Sequence, residues 1–298
     1  MTRPALGAAS AAPRPIVKEP TWTAEIPLYF YTGGLAGASA GLAWGAGVAG
    51  NRELERRAWA AAMLGVAVSP ALLISDLGVP ARFLNMLRVF KVTSPMSVGS
   101  WILSASGLTV SVSALHAWTG RLAGPAAVAR PLAAALGLPL STYTAALIAD
   151  TAVPVWHETR HVLPFLFAAG AATSAGAAAV MVTPPAAAGP ARRLAVAGGV
   201  AEVAAAQLTE RRAGRVKDAL SGPFAKAAKA LTAVGVVVVA AGAARSRPAA
   251  VAGGALLSAG AVCERWAIWR AGSRSAANPA HTVVPQREAI ARGDRVAA

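Results

Sequence analysis

Charged residues are scarce in this chain of 298 residues. They make up 14% of it, whereas a soluble domain carries about 25%. The shortage is concentrated in long stretches, since residues 26–50 and 162–182 contain no charge at all. A helix needs about 20 apolar residues to cross a hydrocarbon core of ~30 Å. The composition therefore excludes a soluble globular domain and predicts an all-α integral membrane protein.

Metal ligands are equally scarce. Cys263 is the one cysteine and there are four histidines. A single thiol cannot build an iron–sulfur cluster, a structural zinc site or an internal disulfide. A membrane haem needs two axial ligands inside facing helices, and no pair among His116, His157, His161 and His281 is placed for this. We therefore expect no haem, no cluster and no metal site in this chain, and we interpret Cys263 as a small buried residue.

The net charge of +15 does not indicate a nucleic-acid partner. Lys and Arg lie at the ends of apolar runs, where the positive-inside bias of membrane proteins places them. We therefore predict a lipid bilayer as the surroundings of the chain and no nucleic acid.

Eight transmembrane helices are predicted from the uncharged runs. The predicted spans are residues 26–50, 58–76, 97–119, 131–152, 162–183, 192–208, 227–244 and 249–269. They give a membrane domain over 26–270, a flexible N-terminal tail over 1–25 and a C-terminal cytoplasmic tail over 271–298. The tail over 1–25 lacks the apolar core of a cleavable signal peptide.

The distribution of Lys and Arg predicts the orientation. With eight spans, one side of the membrane carries 19 of these residues and the other side carries 9. The richer side holds both termini. Both termini are therefore predicted to face the cytoplasm, in the cell membrane.

A short amphipathic helix is predicted between the second and third spans, over residues 80–91. It is too short to cross the bilayer, and apolar residues fall at helical spacing on one side with Arg82, Arg88 and Lys91 beside them. This pattern is typical of a helix that lies in the headgroup plane. Ser94 and Pro95 then provide an N-cap and a first-turn proline for the third span.

Small residues recur every four positions in the first span, at Gly33, Gly37, Gly41 and Gly45. Such spacing lets helix backbones approach closely in a membrane. We interpret the stripe as a packing seam, with a ligand slot as the alternative.

Polar residues near one side of the membrane indicate a site for a quinone. Tyr143 and Asp150 are two helical turns apart and share a face. Asp76 closes the second span, Glu25 opens the first, and His157 follows the fourth. We predict headgroup binding by Tyr143, Asp76 and Glu25, and proton relay by Asp150 and His157. The alternative is that each residue only anchors a helix end in the interface.

Glu202 lies in the middle of the sixth span. An ionisable residue at that depth is by default a functional candidate. Two interpretations stay open: a proton path, or an ion pair with Arg192 or Arg193.

Three blocks of sequence resemble the family of NrfD/polysulfide-reductase membrane subunits. The first block is residues 76–86 with 91–101, the second is Tyr143-Thr144 with 154–160, and the third is 275–276 with 278–279 and 282–287. Val79 stands where the family usually has a basic residue.

The resemblance implies eight helices in two four-helix bundles and no cofactor of the chain's own. It also implies a membrane anchor that binds menaquinone or ubiquinone and exchanges electrons with an iron–sulfur subunit, itself joined to a molybdopterin catalytic subunit. Alone, such a subunit is non-catalytic. We expect Arg82, Arg88, Lys91 and Arg160 to contact the partner. Alternatives are a polytopic transporter or proton-translocating channel, and an inert membrane scaffold.

Overall fold

A computed structural model describes residues 15–291 of the chain. In this part the chain is helical and contains no strand. The α-helices are α1 (Glu25–Val48), α2 (Arg52–Ser75), α3 (Pro95–Thr119), α4 (Ala123–Ala149), α5 (Pro154–Glu158), α6 (Leu163–Val182), α7 (Gly189–Arg212), α8 (Lys217–Leu220), α9 (Pro223–Gly242), α10 (Arg247–Ala277) and α11 (Ala280–Ala291). Two 3₁₀ helices cover Pro80–Leu87 and Gly214–Val216.

Each predicted span coincides in large part with one of the long helices α1, α2, α3, α4, α6, α7, α9 and α10. Five of these, α2, α3, α4, α6 and α9, are long and apolar enough to cross a membrane by length and composition. Glycine lowers the hydropathy of α1, and charged residues lower that of α7 and α10. The chain is therefore an all-α, multi-pass membrane protein.

The long helices pack in two groups. α1 contacts α2 and α4, and α3 contacts the same two helices. In the second group, α6 and α9 each contact α7 and α10. The groups meet chiefly where α1 and α4 pack against α6. A site in either group is thus enclosed by helices that are distant in sequence.

The start of α3 is as predicted. The Ser94 hydroxyl accepts a hydrogen bond from the backbone N–H of Ser97, and Pro95 occupies the first turn. This cap satisfies an amide that has no partner within the helix.

The segment before α3 differs from the prediction. A 3₁₀ helix over Pro80–Leu87 replaces the amphipathic helix expected over 80–91, so Lys91 lies beyond it. Its residues are held by i→i+3 bonds such as that from Arg82 N–H to the Val79 carbonyl. Tighter helices of this kind are short because their hydrogen bonds are poorly aligned.

The termini extend the predicted boundaries. α10 continues beyond residue 270 to Ala277, and α11 follows within the predicted C-terminal tail. Residues 15–24 of the predicted N-terminal tail contain no helix. Residues 1–14 and 292–298 of the two tails lie outside the described residues.

The glycine stripe of α1 is a packing seam along only part of its length. A Cβ on Gly37 would collide with the carbonyl oxygen of Gly137 in α4. At Gly41 and Gly45 a Cβ would meet nothing within 4 Å. Close approach of α1 to α4 is therefore required at Gly37 alone among these three.

Candidate functional site: a cavity among the first four long helices

A cavity of about 260 Å³ lies among α1, α2, α3 and α4, at the end where α1 begins and α2 ends. Most of its lining is apolar. The polar side chains are Tyr29, Asp76, Ser100, Ser104 and Tyr143, together with the indole of Trp22. An apolar pocket with a few converging polar groups is the usual form of a small-molecule site.

Tyr143 of α4 is half-buried and lines the cavity. Its ring lies directly against Gly99 of α3, where a Cβ would overlap the ring. The tilted ring of Tyr29 lies 6.3 Å away, measured between ring centroids. The absence of a side chain at Gly99 therefore sets the position of the Tyr143 ring.

Tyr29 of α1 is 1% exposed. Its hydroxyl has no hydrogen-bond partner among residues 15–291. Leaving a buried hydroxyl unpaired costs about 1–3 kcal/mol. A ligand oxygen in the cavity would remove that cost.

Asp76 follows the last residue of α2 and contributes its carboxyl group to the cavity. One oxygen accepts hydrogen bonds from the backbone N–H and the hydroxyl of Thr23, at 3.1 and 2.6 Å. The carboxylate thus ties the segment before α1 to the end of α2. Its second oxygen is available to a ligand or to water.

The 3₁₀ helix covers one side of the cavity. Phe83 and Met86 contribute to the lining, while Leu84 points outward and is exposed. Phe83 and Leu84, adjacent in sequence, therefore lie on different sides of this helix.

Four basic side chains predicted to bind a partner are exposed: Arg82, Arg88, Lys91 and Arg160. Among the described residues none of them forms an ion pair. Arg160 donates to the carbonyl oxygen of His157 at 2.9 Å. The first three lie on or beside the segment that covers the cavity.

Three other predicted site residues lie outside the cavity. α4 ends at Ala149, so Asp150 caps the helix and is exposed. His157 in α5 is exposed, and Glu25 is half-buried at the start of α1. Tyr143 and Asp76 therefore share one site, and Asp150, His157 and Glu25 are not brought to it.

Two residues of this site, Tyr29 and Trp22, were not among the predicted ligands. The Trp22 ring stacks on Trp156 of α5 with centroids 5.6 Å apart. The N–H of Val155 in turn donates to the Ser275 hydroxyl at the end of α10. The sequence does mark Tyr29 as a candidate, because it is a polar residue one helical turn after Glu25 in an uncharged run. The sequence alone does not show which face of α1 borders a cavity.

The long apolar helices define a multi-pass membrane protein, and four of them enclose an apolar cavity. The chain belongs to the NrfD family: residues 15–278 match the family model NrfD_2, described as polysulfide reductase. None of the curated proteins matches this chain. Family membership indicates a membrane subunit of an oxidoreductase complex.

Proposed function

We propose that this protein is the membrane anchor and quinone-binding subunit of a multi-subunit respiratory oxidoreductase. In this role it lies between an iron–sulfur subunit and the quinone pool, with a molybdopterin subunit as the catalytic partner. The observation that carries the proposal is the cavity in which Tyr143, Tyr29 and Asp76 converge. Family membership supports the membrane role and the oxidoreductase complex.

The residues present fit a quinone, either menaquinone or ubiquinone. Its ring and isoprenoid tail need an apolar lining, which Phe30, Leu103 and Leu108 help to supply. The two headgroup oxygens need donors, and the hydroxyl of Tyr29 has no other partner in the described part of the chain. A bound quinone supplies two-electron chemistry that also consumes two protons on reduction.

The chain's own residues bind the headgroup and deliver protons. Tyr143 and Tyr29 donate hydrogen bonds from one wall, and the packed Gly99 contact holds Tyr143 in place. Asp76 lies at the mouth of the cavity and exchanges protons with water, as a general acid–base group must. Asp150, His157 and Glu25 do not line the cavity. They take part only in the last proton transfer, between the opening of the cavity and bulk water.

The proposal includes the arrangement in the membrane. All eight long helices cross the bilayer as two four-helix bundles, with both termini in the cytoplasm. The exposed basic segment over 79–96 docks the iron–sulfur subunit. Since Phe83 and Met86 of that segment line the cavity, the docked partner would lie directly over the quinone.

Quinone-linked turnover of the assembled complex tests the site. Tyr143→Phe and Tyr29→Phe each remove one hydrogen bond, worth about 0.5–1.5 kcal/mol. We expect each to reduce kcat/KM for quinone about threefold to tenfold while the complex stays intact. Thr142→Val is the matched control, because Thr142 is the polar neighbour of Tyr143 on the same helix, does not line the cavity and donates its hydroxyl to the Leu138 carbonyl oxygen.

Normal turnover in both tyrosine variants would place the quinone elsewhere. Solvent extraction of the purified complex then separates the alternatives. Bound quinone is absent if the subunit is an inert scaffold. A transporter would purify without a stoichiometric iron–sulfur subunit.

A further inference from the structure

Three charged side chains are buried together in the group formed by α6, α7, α9 and α10. Glu202 of α7 and Arg265 of α10 are each 2% exposed, and Glu264 is 5% exposed. Ionisable groups inside a membrane are costly and mark functional sites by default. This cluster is in the other half of the molecule from Tyr143, and the quinone proposal does not use it.

Arg265 forms hydrogen bonds with Glu264 and with the backbone of α6. Its Nη1 donates to Glu264 Oε2 at 3.0 Å, and its Nη2 donates to the Phe167 carbonyl oxygen at 3.0 Å. The guanidinium also lies over the Phe167 ring, 4.0 Å from the centroid. One positive charge is thus matched by one carboxylate.

Glu202 is left without a bonded partner. Neither of its oxygens accepts a hydrogen bond from a residue within 15–291. The nearby Thr173 hydroxyl donates instead to the Ala169 carbonyl oxygen at 3.0 Å. The ion pair with Arg192 or Arg193 that the sequence allowed is not formed; Arg192 donates to the Pro185 carbonyl oxygen.

Gly170 of α6 makes room for this arrangement. A Cβ there would lie 2.6 Å from Arg265 Nη2 and 2.8 Å from Glu202 Oε1. Glu202 therefore lies close to the guanidinium without bonding to it.

A chamber of about 40 Å³ connects Glu202 and Glu264 to the end of α7. A water needs about 10–15 Å³ of such space, so the chamber has room for about three or four. At its far end Glu210 Oε1 accepts from Lys229 Nζ of α9 at 2.6 Å, and this pair is partly exposed. Glu210 is eight residues after Glu202, which corresponds to about 12 Å along the helix.

The charges around the cluster do not balance. The two carboxylates and one guanidinium sum to −1, and Glu210 with Lys229 adds nothing. From α1 the neighbour is the phenol of Tyr31, and α6 contributes the Phe167 carbonyl. Binding one proton makes the cluster neutral, which removes the need to bury an uncompensated charge.

We propose that Glu202, Glu264 and Arg265 share one exchangeable proton, carried by Glu202, and that it reaches the surface through the chamber beside Glu210 and Lys229. The site gives this subunit a protonatable group remote from the quinone cavity. It does not depend on a quinone being bound, so its test is independent of the proposed function.

Dicyclohexylcarbodiimide tests the site, because it reacts with protonated carboxyl groups in apolar surroundings. The assembled complex in lipid nanodiscs would be treated and its peptides analysed by mass spectrometry. We expect modification of Glu202 and none of Glu53, an exposed carboxylate of α2 paired with Arg57. Infrared difference spectra across a pH titration should show a carboxylic-acid band that is lost in Glu202→Gln and kept in Glu53→Gln.

Glu264→Gln provides the sharper variant. With one carboxylate left beside Arg265 the cluster is neutral without a proton, so modification of Glu202 should disappear. Persistent modification in this variant would overturn the shared proton. An unmodified Glu202 together with an unchanged infrared band in Glu202→Gln would overturn the site. Loss of modification on adding sodium at constant pH and ionic strength would also overturn it, since the ligand would then be a metal cation.

Discussion

At the residue scale, buried carboxylates are compensated by positive charge to different extents in the two groups of helices. Glu55 of α2 is 2% exposed and accepts from both Arg52 and Arg130. Arg52 is largely exposed, so water screens its excess charge. The charge of Glu55 is therefore compensated by two arginines, whereas the Glu202 cluster has one carboxylate more than it has guanidinium groups.

This difference makes Glu55 a structural residue. We predict that Glu55→Gln lowers the free energy of unfolding by about 1–3 kcal/mol, because the half-buried Arg130 loses its carboxylate partner. Glu53→Gln, two residues away, should cost less than about 0.5 kcal/mol, because its pair with Arg57 is exposed. Thermal unfolding of both variants in one detergent measures the contrast. Equal melting temperatures would contradict it.

Only some of the residues predicted for the site line the cavity, and the reason is physical. Periodicity shows which residues share a face of one helix, but not which faces of different helices meet. Tyr143 and Asp76 do line one cavity. Asp150 does not, because α4 ends before it. Glu264 and Arg265 stand next to each other in a predicted span, yet their relation to Glu202 arises only because α7 and α10 both pack on α6.

At the element scale, the close contact of α1 with α4 depends on a glycine in each helix, Gly37 and Gly137. A Cβ on Gly37 would lie 2.5 Å from Ser141 Oγ and would also collide with the Gly137 carbonyl oxygen. We predict that Gly37→Ala costs about 1–3 kcal/mol of stability through overpacking. Gly41→Ala, one turn later, should be neutral or stabilising, because it has space and alanine favours helix. The melting temperatures of the two variants test this prediction. An unchanged melting temperature for Gly37→Ala would show that α1 and α4 can move apart without loss of stability.

The 3₁₀ helix over Pro80–Leu87 could be predicted from the sequence only in part. Its amphipathic character was visible in the sequence, but its 3₁₀ geometry and the position of Phe83 against the cavity were not. The sequence therefore predicted a short element with a basic surface, but not that it would be a 3₁₀ helix covering one side of the cavity.

The basic surface of this segment should bind the partner subunit. We predict that reversing Arg82, Arg88 and Lys91 to Glu abolishes co-purification of the iron–sulfur subunit, since clustered charges steer and orient docking. The matched control reverses Arg56, Arg121 and Arg193, three exposed residues assigned to the opposite side. Membrane insertion of both variants is checked by reporter fusions. An intact complex with the first variant would leave the segment a lipid-surface anchor.

At the scale of the whole molecule, the number of crossings is the main question. Five helices have the length and composition of a span. α1, α7 and α10 lack the composition, yet α1 packs on α2, α4 and α6, and α7 and α10 each pack on α6 and α9. A helix that packs against apolar spans can cross the membrane with a lower hydropathy, because other helices and not lipid surround much of its surface. This favours eight crossings over five.

The two counts predict opposite topologies. With eight crossings both termini lie on one side, and the excess of 19 Lys and Arg over 9 places them in the cytoplasm. Arg265 is counted on the richer side, but it is buried and does not contribute to the charge of a loop. The richer side keeps its excess when Arg265 is left out of the count. With five crossings the termini would lie on opposite sides of the membrane. Reporter fusions at both termini therefore distinguish the counts.

Internal fusions make that test specific to each doubtful helix. Reporters joined after Gly50 and after residue 245 should be external, and those joined after Val92 and Lys217 cytoplasmic, if α1, α7 and α10 all cross. A cytoplasmic reporter after Gly50, with a cytoplasmic N-terminus, would show that α1 lies on the surface and would break the enclosure of the quinone cavity. The Glu202 site depends in the same way on α7 and α10. The topology of these helices thus decides whether either proposed site lies within the membrane.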